Sequence, residues 1–216
     1  MGVWGSRRQV RNHRHYWRAP HAGQLTYLAL GDSAAQGVGV DDPADGYVSV
    51  VARHLAELTG RTVRIVNLSV SGATVETLRD QQIPLMRDHG TPDLTTCVIG
   101  GNDIAWRRRF RVGEFAAAFD EVAARLPERS VVGLVPSFGH WPYERRAQEA
   151  NLAIARIARA RGHAVADLYS PTRRLWPWRY ASIMAGDLFH PNAAGHRLWA
   201  EAISAELDDR VLLKHR

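Results

Sequence analysis

One cysteine, one lysine and no long apolar run are the scarcities that first bound this chain. A lone cysteine cannot form an internal disulfide, so nothing here requires an oxidising compartment. Cys97 lies inside the apolar run Leu94-Thr95-Thr96-Cys97-Val98-Ile99, where it reads as buried packing. No apolar run approaches the ~20 residues that a membrane-spanning helix needs. No Cys/His cluster has the spacing of a zinc site. Gly31-Asp32-Ser33 lacks the lysine and the spacing of a phosphate-binding loop. Asp41-Asp42 and Asp45 do not make an EF-hand pattern. No metal or cofactor is therefore expected. Internal repeats, low-complexity stretches and an interdomain linker are also missing.

Positive charge is present but unevenly placed. Lys+Arg number 28 against 22 Asp+Glu, a formal charge of +6. Arg7, Arg8, Arg11, Arg14 and Arg18 fall within the first 22 residues, with no acid among them. The remainder is close to neutral. Lys214 is the only lysine, which fits a genome-level preference for Arg and Ala better than selection for phosphate binding. Nucleic acid is accordingly not the expected partner. Residues 1–22 read as a basic, flexible arm dotted with Trp4, Tyr16 and Trp17, and residues 23–216 as one domain. Ser6-Arg7-Arg8 suggests twin-arginine export, but the apolar segment that must follow is missing. A cytoplasmic location is expected, with export left open, as is the oligomeric state.

The domain has 45% hydrophobic and 23% charged residues over a chain of 216, enough for one substantial core. Short apolar runs alternate with helical stretches. Strands are expected at 25–30, 63–68, 94–99, 131–135 and 164–168. Helices are expected at 47–58, 74–87 with a break at Pro84, 114–126, 144–161 and 192–207. This alternation implies βαβ units, and strands apolar on both faces imply a covered parallel sheet. The expected class is α/β: a three-layer α/β/α sandwich around a central, mostly parallel five-stranded sheet, flavodoxin-like in outline.

Four short blocks carry chemistry. Ser33 follows the first strand, where its hydroxyl can act as a nucleophile once a base takes its proton. Gly72 follows the second, and without a Cβ it lets a substrate oxygen approach the backbone N–H. Gly100-Gly101-Asn102-Asp103 follows the third, with an amide able to donate to a developing oxyanion. Asp187-Leu188-Phe189-His190 places a carboxylate three residues before a histidine, able to reach its Nδ1–H. In open α/β sheets ligands bind beyond the carboxyl ends of the strands, where these loops converge.

Together, Asp32-Ser33, Gly72, Asn102 and His190 resemble the marked blocks of the SGNH (GDSL-type) hydrolases over residues 25–207. The resemblance implies Ser33 as nucleophile, with Asp187 and His190 completing a triad. It implies an oxyanion hole from Ser33 N–H, Gly72 N–H and the Asn102 amide. It also implies hydrolysis of esters or thioesters without metal or cofactor. The Gly-x-Ser-x-Gly elbow of the α/β-hydrolases is absent around Ser33.

Substrate contacts are expected from Trp106, Arg107, Phe138, Trp141 and Trp176, in segments near the catalytic edge. The run Arg107–Arg111 could attract an anionic group. No large lid insertion is visible, which favours a small-molecule ester with a short or medium acyl group. Two other readings stay open: acyl transfer to, or deacetylation of, a sugar or other hydroxyl compound by the same residues, and an anion-binding module acting through the arm and Arg107–Arg111.

Overall fold

The computed structural model describes residues 3–18, 22–175 and 177–214. Its elements run in the order α1 (Val3–Arg18), β1 (Leu25–Gly31), α2 (Tyr47–Thr59), β2 (Val63–Asn67), α3 (Val75–Thr77), β3 (Leu94–Val98), α4 (Gly101–Trp106), α5 (Val112–Ala123), β4 (Val131–Gly133), α6 (Tyr143–Ala160), β5 (Ala164–Ala166), α7 (Tyr169–Arg173), α8 (Pro177–Ser182) and α9 (Ala193–Lys214). No described helix is long and apolar enough to cross a membrane.

The five strands form one sheet in the order β2-β1-β3-β4-β5, and every neighbouring pair is parallel. Side chains alternate between two cores, as the period of two requires. On one face Leu25, Tyr27 and Ala29 of β1 and Val98 of β3 meet α2 and α9. On the other, Leu30, Cys97 and Val132 meet α5 and α6. The covering helices earn these places by spacing. Trp199, Ile203 and Leu207 recur every fourth residue on α9 and are buried, as are Val48, Val51, Ala52 and Leu55 on α2. The chain leaves β1 for β2 on one side and returns to β3 on the other. The crevice at this reversal, beyond the carboxyl ends of β1 and β3, is where doubly wound sheets bind ligands.

Two local departures from the sequence pattern have clear causes. The expected helix at 74–87 is broken into three tighter or looser pieces: α3, a wide turn at Leu78–Gln82 and a tight one at Ile83–His89. Pro84 lies at the start of the last piece, where its missing N–H would interrupt a regular helix. The N-terminal segment, read as a flexible arm, is helical from Val3 to Arg18. Gln9, His13 and Trp17 share one side of this helix at fourth-residue intervals. Gln9 donates to the Val40 carbonyl, His13 Nε2 lies 3.5 Å from the Asp41 carbonyl, and Trp17 Nε1 donates to the Gln36 carbonyl at 3.0 Å. The docking face is mixed polar and aromatic, so an apolar periodicity does not reveal it.

Candidate active site

Ser33 sits on the turn that follows β1 and is buried. Its Oγ lies 2.9 Å from His190 Nε2, and His190 Nδ1 lies 2.6 Å from Asp187 Oδ2. The carboxylate fixes the tautomer: Nδ1 carries the proton and donates, which leaves Nε2 free to accept from the serine. The Asp187 turn is locally built. Asp187 Oδ1 accepts the N–H groups of Phe189 and His190 at 3.0 Å each, and Leu188 between them has a positive φ of 55°. Burial pulls the Asp187 carboxyl upward, but the His190 side chain and these N–H donors together outweigh it. The net pKa lies below the ordinary carboxylate range, so the group is held ionised.

The histidine loop is tied at both ends. Asn192 Oδ1 accepts from Ala194 and Gly195 N–H, capping α9, while its amide donates to the carbonyls of Ser182 and Met184. On the other side it meets the loop after Ser33. Gly39 has φ +110°, and a Cβ there would stand 2.0 Å from the Pro191 carbonyl oxygen. Only glycine permits that approach.

The oxyanion candidates converge from three loops. Asn102, on α4, donates from Nδ2 to Asp32 Oδ2 at 3.1 Å and to the Ala73 carbonyl at 2.9 Å. Its Oδ1 accepts from Trp106 Nε1 at 3.1 Å, so the amide orientation is fully determined. Both Nδ2 hydrogens have protein acceptors, and an oxyanion here would share one of them. The neighbouring Asp103 accepts from Val75 N–H at 3.1 Å. Asn102 and Asp103 thus clamp the segment that follows Gly72. Among the described residues, neither Ser33 N–H nor Gly72 N–H donates to a protein acceptor. Both are available to a ligand.

Beside Ser33 and His190 lies a cavity of about 200 Å³. Val98, Ile99, Val135, Phe138, Met184 and Phe189 give it apolar walls, and among the described residues no arginine or lysine lines it. Trp106 and Phe138 are in the lining. Trp106 is 72% exposed, forms the rim, and stacks obliquely on Phe189 at 5.6 Å. Arg107 is not in the lining. Its guanidinium is held by Glu76 and Asp103, a demand invisible from the run Arg107–Arg111 alone. Arg111 likewise pairs with Glu114. Trp141 is 78% exposed and also outside the lining. Trp176 lies outside the described residues.

Three supporting residues escape sequence reasoning. In the sequence Asp32 shows only as part of the serine block. Its Oδ1 accepts from Ala34 N–H and its Oδ2 from Asn102. Gln82, fully buried, accepts from Gly31 N–H and donates to the Gly31 carbonyl. Glu144 organises the segment after β4. A glutamine or glutamate beside a proline-broken or proline-capped helix carries no local signal of such long-range bonds. Only Asn192, an Asn just before a helix, is legible as a cap.

Comparison with known proteins bears on the fold and on the family. A GDSL-like esterase of Mycobacterium tuberculosis is 26% identical over 92% of this chain. The chain spans 66% of that relative's length, just under two thirds. Among solved structures, an alpha/beta hydrolase enzyme from the metagenome of Lake Arreo superposes with a TM-score of 0.69 at 23% identity, over 86% of this chain and 96% of that one. An acetylxylan esterase from Geobacillus stearothermophilus gives 0.67 at 22% identity, over 86% and 95%. At such identities these structures speak for the fold. The sequence itself speaks for the family: the family model for the GDSL-like Lipase/Acylhydrolase family matches residues 29–198, a span that holds Ser33, Gly72, Asn102, Asp187 and His190, and the chain belongs to that family.

Proposed function

We propose that this protein is a serine esterase that cleaves carboxylic esters or thioesters of small to medium, uncharged acyl groups through an acyl-Ser33 intermediate. The observation that carries the reading is the continuous chain Ser33 Oγ, His190 Nε2, His190 Nδ1, Asp187 Oδ2, with steps of 2.9 and 2.6 Å, at the mouth of an apolar cavity. Ser33 attacks the ester carbonyl as His190 takes its proton, and Asp187 stabilises the imidazolium that forms. The tetrahedral oxyanion accepts from Ser33 N–H, Gly72 N–H and Asn102. Collapse breaks the carbon–oxygen bond, and the His190 proton passes to the departing alcohol. Water, deprotonated by His190, then attacks the acyl-enzyme, and the acid leaves as Ser33 regains its proton.

The cavity supports the substrate class. Apolar walls favour a hydrocarbon acyl chain, and among the described residues no arginine or lysine in the lining offers an anionic acyl group a counter-charge. The pairing of Arg107 with Glu76 and Asp103 argues against a role for it in anion capture.

The test is hydrolysis of p-nitrophenyl esters from acetyl to palmitoyl by wild type and Ser33→Ala, at neutral pH with chelator present. Turnover of the shorter esters that Ser33→Ala abolishes is the expected result. Turnover that survives Ser33→Ala, or folded wild type that cleaves no ester, would overturn the reading.

A further inference from the structure

We propose that Glu144 is a positioning residue that fixes the acyl-facing wall of the cavity and so sets the acyl length the enzyme accepts, an inference that rests on the esterase reading. One stretch of chain contributes six of the residues that line the cavity. Val135, Pro136, Ser137, Phe138 and His140, between β4 and α6, and Tyr143, the first residue of α6, all line the cavity. The sheet ends at Gly133, so this segment has no strand partner for its N–H groups, and they must be satisfied otherwise.

Asn151 Oδ1 takes the Val135 N–H at 2.8 Å, and Glu144 takes those of Phe138 and Gly139. Its Oε2 accepts from Ser137 Oγ at 2.8 Å, Phe138 N–H at 3.0 Å and Gly139 N–H at 3.1 Å. Its Oε1 accepts from the Tyr169 hydroxyl, and Arg173 Nε stands 3.6 Å away. Two further helices converge on the same segment. Thr172 Oγ1, on α7, accepts from Ser137 N–H at 2.9 Å, and the Tyr180 hydroxyl, on α8, donates to the Ser137 carbonyl at 2.8 Å. Burial pulls the Glu144 carboxyl upward, but its donors together hold its pKa below the ordinary range.

This is not ordinary helix capping. A glutamate in the first turn commonly reaches back to the N–H of the cap residue. Here the cap residue is Pro142, which has no N–H, and Glu144 reaches five to seven positions upstream instead. Nor is Glu144 within reach of the chemistry, since none of its hydrogen bonds goes to Ser33, His190 or Asp187. Its effect is expected in acyl binding, through the wall.

The experiment measures kcat and KM for p-nitrophenyl acetate, butyrate, hexanoate and octanoate with wild type, Glu144→Ala, Glu144→Gln and Tyr180→Phe. Glu144→Gln keeps one oxygen for the Ser137–Gly139 side and turns an amide toward the Tyr169 hydroxyl, which can accept. For Glu144→Ala, acetate turnover should stay nearly unchanged. On the longest ester that wild type handles well, KM should rise by about tenfold or more with little change in kcat. Glu144→Gln should recover most of that loss, and Tyr180→Phe should shift the profile the same way more weakly. Equal losses on every ester in folded variants, or an unchanged profile, would overturn the proposal while leaving the esterase reading intact. If Glu144→Ala does not fold, Glu144→Gln and Tyr180→Phe decide by the same criteria. Wild type that cleaves no ester, in an assay that uses Ser33→Ala as its blank, would overturn the esterase reading and this proposal together.

Discussion

Asp32 and Asn102 meet across the reversal of the sheet, Asp32 Oδ2 accepting from Asn102 Nδ2 at 3.1 Å. The residue before the serine therefore orients the amide that would hold the oxyanion. The other oxygen of Asp32 takes the N–H of Ala34, just beyond Ser33. One carboxylate ties the nucleophile's turn to the oxyanion loop.

Asp32→Asn tests that tie. Both partners of Asp32 are donors, so whichever way the new amide turns, its NH2 faces an N–H. Orientation of Asn102 is lost while its amide remains. We expect kcat to fall by about tenfold to a hundredfold, less than the ~10²–10³ for deleting an oxyanion donor outright. KM should change less than kcat, because Asp32 acts through Asn102 and the Ala34 N–H. A kcat within error of wild type would remove Asp32 from the support of the site.

Asp187→Asn addresses the other end of the proton path. The variant keeps the side-chain shape, but its amide no longer demands a proton on His190 Nδ1. The imidazole can then turn its protonated nitrogen toward Ser33 and cease to be a base. A loss of about 10³–10⁴ in kcat is expected, with the fold retained by circular dichroism. A loss below tenfold would mean that the 2.6 Å bond between His190 and Asp187 is not needed for turnover.

Gln82→Leu should act on stability. Gln82 is buried and pairs with both polar groups of the Gly31 peptide. The Gly31 carbonyl keeps a second donor, Val70 N–H at 3.2 Å, so the variant orphans chiefly the Gly31 N–H. An unsatisfied buried donor costs about 1–3 kcal/mol. The urea midpoint should fall accordingly without a change in the slope of the transition. Because Ser33 lies two residues on, kcat should fall as well. Unaltered stability would show that the peptide finds another partner.

The features legible in the sequence share one property: their signals are local. β1 to β5 are short apolar runs, α9 shows apolar residues every fourth position, and Gly31-Asp32-Ser33 and Asp187-Leu188-Phe189-His190 each lie within a few residues. What stayed hidden depends on partners far along the chain. Gln82 reaches back 51 positions to Gly31, and Trp17 reaches 19 to Gln36. Position just after the Asn102 block points Arg107 to the cavity mouth, yet Glu76, 31 positions earlier, takes its guanidinium. Charge next to a site in sequence says little about charge in the site, since an ion pair chooses its partner in three dimensions.

His196 supplies the last prediction, and it must be read against Asp32. His196 is buried on α9, where Nδ1 accepts from Tyr47 N–H at 3.2 Å and Nε2 donates to the Val38 carbonyl at 3.3 Å. Burial lowers its pKa from 6.5 to about 4. Between those values the unfolded chain binds more protons, so acidification removes stability, on the order of 3 kcal/mol from this group alone. Asp32 acts oppositely. Desolvation raises its pKa from 3.8 to about 6, so across nearly the same window the folded chain binds more protons and acidification adds stability. In the wild type the two contributions offset one another. His196→Gln should therefore gain stability relative to wild type as pH falls from about 6.5 to 4, and Asp32→Asn should lose it from about 6 to 4. Urea unfolding at half-unit intervals of pH reads both differences. Variant curves that run parallel to the wild type would show that these residues do not titrate in that window, whereas divergence in opposite directions would assign the offset to this pair.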